Sequence, residues 1–211
     1  MENGIQLAEE KYVEEQKNLL NVTVGEYQNQ LTEFLKLLKL PNDNILVDYR
    51  ERKKVINNIP DIIDNIAEEK RASSYYVSKL VAASGAGLFD AALNYLWDET
   101  ISSLKRKISL FDFEYFQSTL PESTKKKVTT IDDLRLIDDN DIVVGCSKIG
   151  ILSDIGFKHI DYIRTMRNWV SAAHPNQAEL TGLNICDWLE TCIREVIEAR
   201  LRSPMEPSRS S

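Results

Sequence analysis

The most constraining feature of the sequence is the stretch from residue 75 to 108, where apolar residues recur at three- and four-residue steps. This spacing places them on one wide face of a helix. The stretch ends in a run of Lys and Arg, which suits the negative end of a helix dipole. The face comprises Leu88, Ala91, Ala92, Tyr95, Leu96, Ile101 and Leu104. The chain is therefore expected to bury a long helix in its core.

The same periodicity recurs along most of the chain. It predicts further helices over residues 5–20, 23–38, 60–71, 150–173 and 181–202, the third of them opened by Pro60. Residues 109–148 are less regular and are expected to form short helices and loops. Eight Gly and six Pro are few for a turn-rich β fold. The predicted fold class is all-α, a helical bundle.

The chain is expected to divide into three parts. Residues 1–58 are predicted to form an N-terminal helical segment of unknown role, residues 59–202 the helical bundle, and residues 203–211 a disordered tail. No long linker marks the first boundary.

Composition excludes several classes of protein. The 26 basic and 33 acidic residues give a net charge of −7, which does not suit a protein that coats nucleic acid, although a local site stays open. Three Cys without a CxxC pair predict reduced thiols and no zinc site. The acidic first twenty residues do not resemble a signal peptide, and charges and glycines interrupt residues 75–97, so no membrane span is predicted. We expect a cytoplasmic protein.

The two histidines, His159 and His174, have different surroundings. His159 has no polar partner fixed by spacing and is interpreted as a helix surface or partly buried residue. His174 lies seven residues after Arg167, so a helix would turn both side chains in the same direction. Ser171 lies between them, and Pro175 ends or bends the helix just after the imidazole. These residue types in one short stretch are unusual for a core helix.

From Arg167 the sequence reads Arg-Asn-Trp-Val-Ser-Ala-Ala-His-Pro-Asn. It resembles the motif of the HEPN superfamily (higher eukaryotes and prokaryotes nucleotide-binding), all-α domains whose ribonuclease members carry an Arg and a His separated by four to six residues. The polar residue directly after the Arg, here Asn168, is part of the resemblance. The continuation through Pro175 is similar to that of bacterial defence-associated members. The likeness covers residues 60–200 and does not extend to the first 60 residues.

The resemblance implies a metal-independent endoribonuclease that needs no cofactor. It implies that Arg167 stabilises the phosphate, that His174 transfers protons and that Asn168 orients the pair, with Ser171 as a weaker candidate for substrate binding. It further implies a homodimer with the motif at its interface. The expected role is a toxin or antiviral defence effector, with an antitoxin or defence-system protein as a further partner. DNA is not expected to be cleaved, because it lacks the 2′-hydroxyl nucleophile.

A non-catalytic interpretation stays open beside this one. Arg167 would then cap a neighbouring acidic helix or form a salt bridge with it, for example at Glu190 or Glu195. His174 would be a helix C-terminal residue stabilised by the dipole. In that case the chain is a HEPN-like interaction module that binds a partner protein or a nucleotide.

Other motifs are interpreted as structural. The acidic residues 138–141 lack the Gly and Glu of a calcium loop and are predicted to form a turn. Residues 84–87 are Gly-rich but lack the Lys-Ser/Thr of a phosphate loop, which favours close helix packing. The aromatic residues of 111–116 are expected to pack in the core rather than to stack on RNA bases, and Cys186 and Cys192 are expected to be small core residues.

Overall fold

A computed structural model describes residues 2–172 and 180–201, with side chains described for residues 10–170 and 180–201. The chain forms α1 (Glu2–Leu37), α2 (Tyr49–Ile63), α3 (Glu68–Arg71), α4 (Tyr75–Ala86), α5 (Phe89–Phe111), α6 (Phe113–Ser118), α7 (Glu122–Lys125), α8 (Asp139–Lys148), α9 (Asp154–Ala172) and α10 (Gly182–Cys192). A 3-10 helix, Ile131–Leu136, precedes α8, and a π-helical turn, Ile193–Ile197, continues α10. The described residues contain no β-strand, so the predicted all-α class is confirmed.

Helix α5 is the centre of the core. It packs against α4, α8, α9 and α10, and its buried side chains include Leu93, Leu96 and Trp97. Cys146, Cys186 and Cys192 are buried free thiols. The sequence predicts core positions for Cys186 and Cys192. Burial raises the pKa of Cys186 to about 11 and that of Cys192 to about 12, so neither forms a thiolate readily near neutral pH.

The stretch 75–108 forms two helices rather than the single helix that the periodicity predicts. The break is at Gly87, which has a left-handed backbone with φ +85° and ends α4. A Cβ at this position would lie 2.8 Å from Cδ of Arg52. A Cβ at Gly85, by contrast, would meet no atom within 4 Å outside its own helix. Residues 84–87 therefore do mark close packing, and Gly87 is the residue responsible.

The helix expected to open at Pro60 begins instead at Tyr49, and Pro60 lies inside it. Asp48 caps this helix by accepting a hydrogen bond from the Arg50 amide at 2.8 Å. Its buried face is Arg52, Val55, Ile56 and Ile59. Because most of residues 48–57 are charged or polar, the narrow apolar face is not apparent from the sequence. Helix α2 also runs through positions 58 and 59, where the sequence places a domain boundary, and packs against α4 and α10.

Helix α1 is one helix of 36 residues, where the sequence predicts two. No Pro or Gly stands between residues 20 and 23, so nothing interrupts the backbone hydrogen bonds. Asn21 donates from Nδ2 to Oδ1 of Asn57 at 3.0 Å, and Gln28 accepts a hydrogen bond from the buried Arg52. These contacts and packing on α2 and α4 attach α1 to the bundle.

Residues 109–148 form short helices and loops, as predicted. Asp138 caps α8 by accepting a hydrogen bond from the Asp141 amide at 2.9 Å, so the acidic residues form a helix start. Phe116 is buried in the core, whereas Tyr115 is 50% exposed. The tail predicted at 203–211 lies outside the described residues. No helix within the described ranges combines the length and apolar character that crossing a membrane requires.

Candidate functional site

Helix α9 presents Arg167 near its carboxyl end. The buried residues Ile160 and Ile163 hold the helix on the core, and Met166 and Val170 pack against its edge. Arg167 follows Met166 and is half-buried, so its guanidinium lies where the core meets solvent.

Two side-chain amides orient the Arg167 guanidinium. Its Nε donates to Oδ1 of Asn94 on α5 at 2.7 Å, and its Nη1 donates to Oδ1 of Asn168 at 3.1 Å. The Asn94 amide is itself held, since its Nδ2 donates to the backbone oxygen of Asp90 at 3.0 Å. Arg167 is therefore fixed by neutral acceptors on two helices.

A carboxylate lies one helical turn beyond Asn94. Asp98 is half-buried, and burial raises the pKa of its carboxyl group above the ordinary range. The positive charges of Arg167 and Lys79 act in the opposite direction, and the negative charge of Asp139 adds to the effect of burial. This polar cluster thus contains charges of both signs around Arg167.

Neighbouring side chains fix the rest of the cluster. The Lys79 ammonium lies 5.6 Å from the centroid of the Tyr76 ring and 5.5 Å from that of Tyr95, which are cation–π distances. Trp97 Nε1 donates to Oδ2 of Asp139 at 2.6 Å. These contacts place the positive charge of Lys79 beside α5, where it lowers the pKa of Asp98.

Arg167 itself forms no ion pair within the described part of the chain. The interpretation in which it pairs with Glu190 or Glu195 is wrong, because its hydrogen bonds go to Asn94 and Asn168. Glu195 instead pairs with Arg194 at 3.0 Å and lies 3.6 Å from Nδ1 of His159. An oriented guanidinium without a carboxylate partner is suited to hold a phosphate oxygen.

The structure brings together two of the four predicted site residues, Arg167 and the exposed Asn168. Ser171 lies in the last turn of α9, but its side chain is not among those described, and His174 lies outside the described residues. Sequence reasoning missed Asn94 and Asp98. Their signal is that Asp90, Asn94 and Asp98 recur at four-residue steps, which places them on one face of α5.

Within the described ranges, no three His, Cys, Asp or Glu side chains converge as a metal site would require. Comparisons with known protein families, with curated proteins and with solved structures find no match for this chain.

Proposed function

We propose that the chain is a metal-independent endoribonuclease of the HEPN type that cleaves RNA through its 2′-hydroxyl. The observation that carries the proposal is the Arg167 guanidinium, which Asn94 and Asn168 orient and which forms no ion pair with a carboxylate among the described residues, although the charge of Asp98 acts on it. Its side chain is half-buried, so part of it is open to solvent and to an anionic ligand. The all-α architecture supports the same family.

The reaction assigns separate tasks to the two motif residues. His174 takes the proton of a ribose 2′-hydroxyl, whose oxygen attacks the adjacent phosphorus. Arg167 binds the phosphate oxygens, where negative charge accumulates in the transition state. The P–O5′ bond then breaks, and a protonated imidazole donates a proton to the leaving oxygen. The products are a 2′,3′-cyclic phosphate and a 5′-hydroxyl.

This scheme needs an acid as well as a base, and one chain offers one motif His. A two-fold dimer that brings both motifs into one cleft supplies the second His174. The proposed biological role is that of a toxin or antiviral effector, restrained or triggered by a partner protein. That role is an analogy with the family.

The test is incubation of purified protein with total RNA in EDTA, followed by analysis of fragment ends. The wild type is expected to give 2′,3′-cyclic phosphate ends, and Arg167→Ala and His174→Ala are each expected to lower cleavage at least about a hundredfold. Arg194→Ala is the matched control, because Arg194 is exposed and pairs with Glu195. Equal cleavage of RNA by wild type and His174→Ala would contradict the proposal.

The second candidate function is a non-catalytic module that binds a partner protein. The observation that favours it is the large exposed apolar surface of α1, together with the acidic net charge of −7. The two candidates differ in one measurement, since this module would leave RNA intact with or without His174. Capture of the same partner by wild type and by His174→Ala would then support it.

A further inference from the structure

Helix α1 carries a second apolar face that nothing in the described chain covers. Its first face lies on α2 and α4, where Asn21 and Val24 are buried and Gln28 and Leu35 are half-buried. The second face is a row of exposed residues, here called the outer row: Tyr12, Gln16, Leu19, Thr23, Tyr27, Gln30 and Phe34. At about 100° per residue these seven positions fall within about 80° of one another, roughly 120° away from the first face.

The outer row is symmetric about Thr23. Positions four, seven and eleven residues before Thr23 are matched by positions four, seven and eleven residues after it. The matched pairs are Leu19 with Tyr27, Gln16 with Gln30, and Tyr12 with Phe34. A two-fold interface brings one surface against a reversed copy of itself. A row that reads alike in both directions meets this requirement, with apolar residues opposite apolar residues and amides opposite amides.

The charges beside the outer row select the antiparallel direction. The flanking exposed positions are Lys11, Glu15, Asn18, Val22, Glu26, Asn29 and Glu33, and they are symmetric about Val22. An antiparallel second copy centred on Thr23 sets Lys11 opposite position 35, so Lys11 lies within two positions of Glu33 of the second copy at both ends. A parallel copy in register would leave Lys11 and Glu33 at opposite ends of the pair, so no ion pair would form between them.

The exposed area is sufficient for a stable pair. Eight large apolar side chains of α1 and the turn after it are 43–80% exposed: Tyr12, Leu19, Leu20, Val22, Tyr27, Phe34, Leu37 and Leu38. At roughly 100 Å² for each partly exposed side chain they offer about 800 Å². That is about the area each partner buries in an interface of standard size.

An apolar groove lies beside one end of the outer row. It has a volume of about 250 Å³ and is lined by Tyr12, Val13 and Leu20 of α1 and by Ile56 and Ile59 of α2. Antiparallel pairing about Thr23 sets Phe34 of the second copy opposite Tyr12, at this groove. The groove thus provides space for the aromatic ring that the symmetry brings to it.

We propose that two copies of the chain associate through an antiparallel pairing of their α1 helices, centred on Thr23. The inference goes beyond the proposed ribonuclease activity. Helix α1 packs on α2 and α4, whereas Arg167 lies on α9 and bonds to α5, so this interface is distinct from a dimer built around the motif. If both interfaces form, the assembly contains more than two chains.

The first test is the mass of the full chain in solution, measured by light scattering during size-exclusion chromatography. The double variant Leu19→Glu with Tyr27→Glu is expected to halve the mass of the wild type. Leu110→Glu with Leu136→Glu is the matched control and is expected to keep the full mass, since these leucines are 72% and 60% exposed and lie on α5 and the 3-10 helix rather than on α1. A wild type of 24.2 kDa, or a double variant with unchanged mass, overturns the proposal.

The second test determines the direction of pairing and does not depend on a destabilising variant. Lys11→Cys and Glu33→Cys are prepared as separate chains of different tagged size and treated with a short bis-maleimide, alone and mixed. Antiparallel pairing predicts cross-linking between the two variants in the mixture and none within either alone. Cross-links within each single variant, or none in the mixture, contradict it. The native cysteines are buried and give little background.

Discussion

Helices α5 and α1 are the two longest in the described chain, yet their surroundings are opposite. Of the 23 residues of α5, eleven are buried, whereas α1 has 36 residues and buries only Asn21 and Val24 among its described side chains. Both carry apolar residues at helical spacing. Spacing therefore decides whether a segment forms a helix, whereas residues distant in sequence decide whether its apolar face is covered.

Polar residues differ between the two helices in the same way. In α5, Glu99 and Thr100 are buried and satisfied, because Glu99 accepts a hydrogen bond from Ser74 Oγ at 2.6 Å and Thr100 donates to the Leu96 oxygen at 2.8 Å. The polar residues of the α1 outer row are exposed. A buried helix requires partners for every polar group, whereas an exposed one leaves them to water or to another molecule.

The largest expected effect on stability comes from a cavity at the buried face of α5. Leu96→Ala is expected to lower the free energy of unfolding by about 2–5 kcal/mol, because Leu96 is 1% exposed and the neighbouring helices cannot fill the cavity. Leu110→Ala, on the same helix at 72% exposure, is expected to change it by less than about 0.5 kcal/mol. Urea titration followed by circular dichroism measures both. Equal losses for the two variants would contradict the described burial of α5.

Gly→Ala substitutions are expected to have smaller effects on stability, of opposite sign in the core and in α1. A Cβ at Gly145 would overlap the ring of Phe116, so Gly145→Ala is expected to destabilise the fold by about 1–3 kcal/mol. A Cβ at Gly25 in α1 would meet only Cε2 of Tyr49 at 4.0 Å, so Gly25→Ala is expected to stabilise by about 0.5–1 kcal/mol. Melting temperatures of the two variants against the wild type measure the difference in sign.

The sequence predicted the helices more reliably than their ends. The apolar face at residues 88–104 identified the central helix because its period is strong. The break at Gly87 was missed, since its close approach is to Arg52, a residue 35 positions away. Helix α2 was placed too late because its four buried residues lie within a charged surface. These errors share one cause: a local sequence pattern does not show which residues distant in sequence are neighbours in the fold.

The contacts of the candidate site show the same limit of local sequence patterns. The contact between Arg167 and Asn168 joins residues adjacent in sequence, and the motif pointed to both. The contact between Arg167 and Asn94 spans 73 positions, and only the packing of α9 on α5 brings them together. That His174 acts with Arg167 stays a prediction, which the RNA cleavage assay tests.

The smallest expected effect on the free energy of unfolding concerns Asp98, the residue of α5 that lies beside the candidate site. Burial raises the pKa of its carboxyl group in the folded chain above 3.8, so the folded state binds its proton more tightly than the unfolded state. The ionised carboxylate therefore destabilises the fold at neutral pH, and this cost disappears as pH falls below 3.8. Asp98→Asn is expected to raise the free energy of unfolding at pH 7 by less than about 1 kcal/mol, because solvent screens a half-buried charge.

The pH dependence separates this effect from an ordinary surface substitution. The gain from Asp98→Asn is expected to be absent at pH 3 and to grow as pH rises through the folded pKa, after which it stays constant. Asp187→Asn, at an exposed position of α10, serves as the control and is expected to change stability little at any pH. Because Asp98 also opposes the charge of Arg167, the same variant is expected to strengthen binding of inorganic phosphate at the candidate site. Unchanged phosphate binding by Asp98→Asn would place the anion away from Arg167 and Asp98.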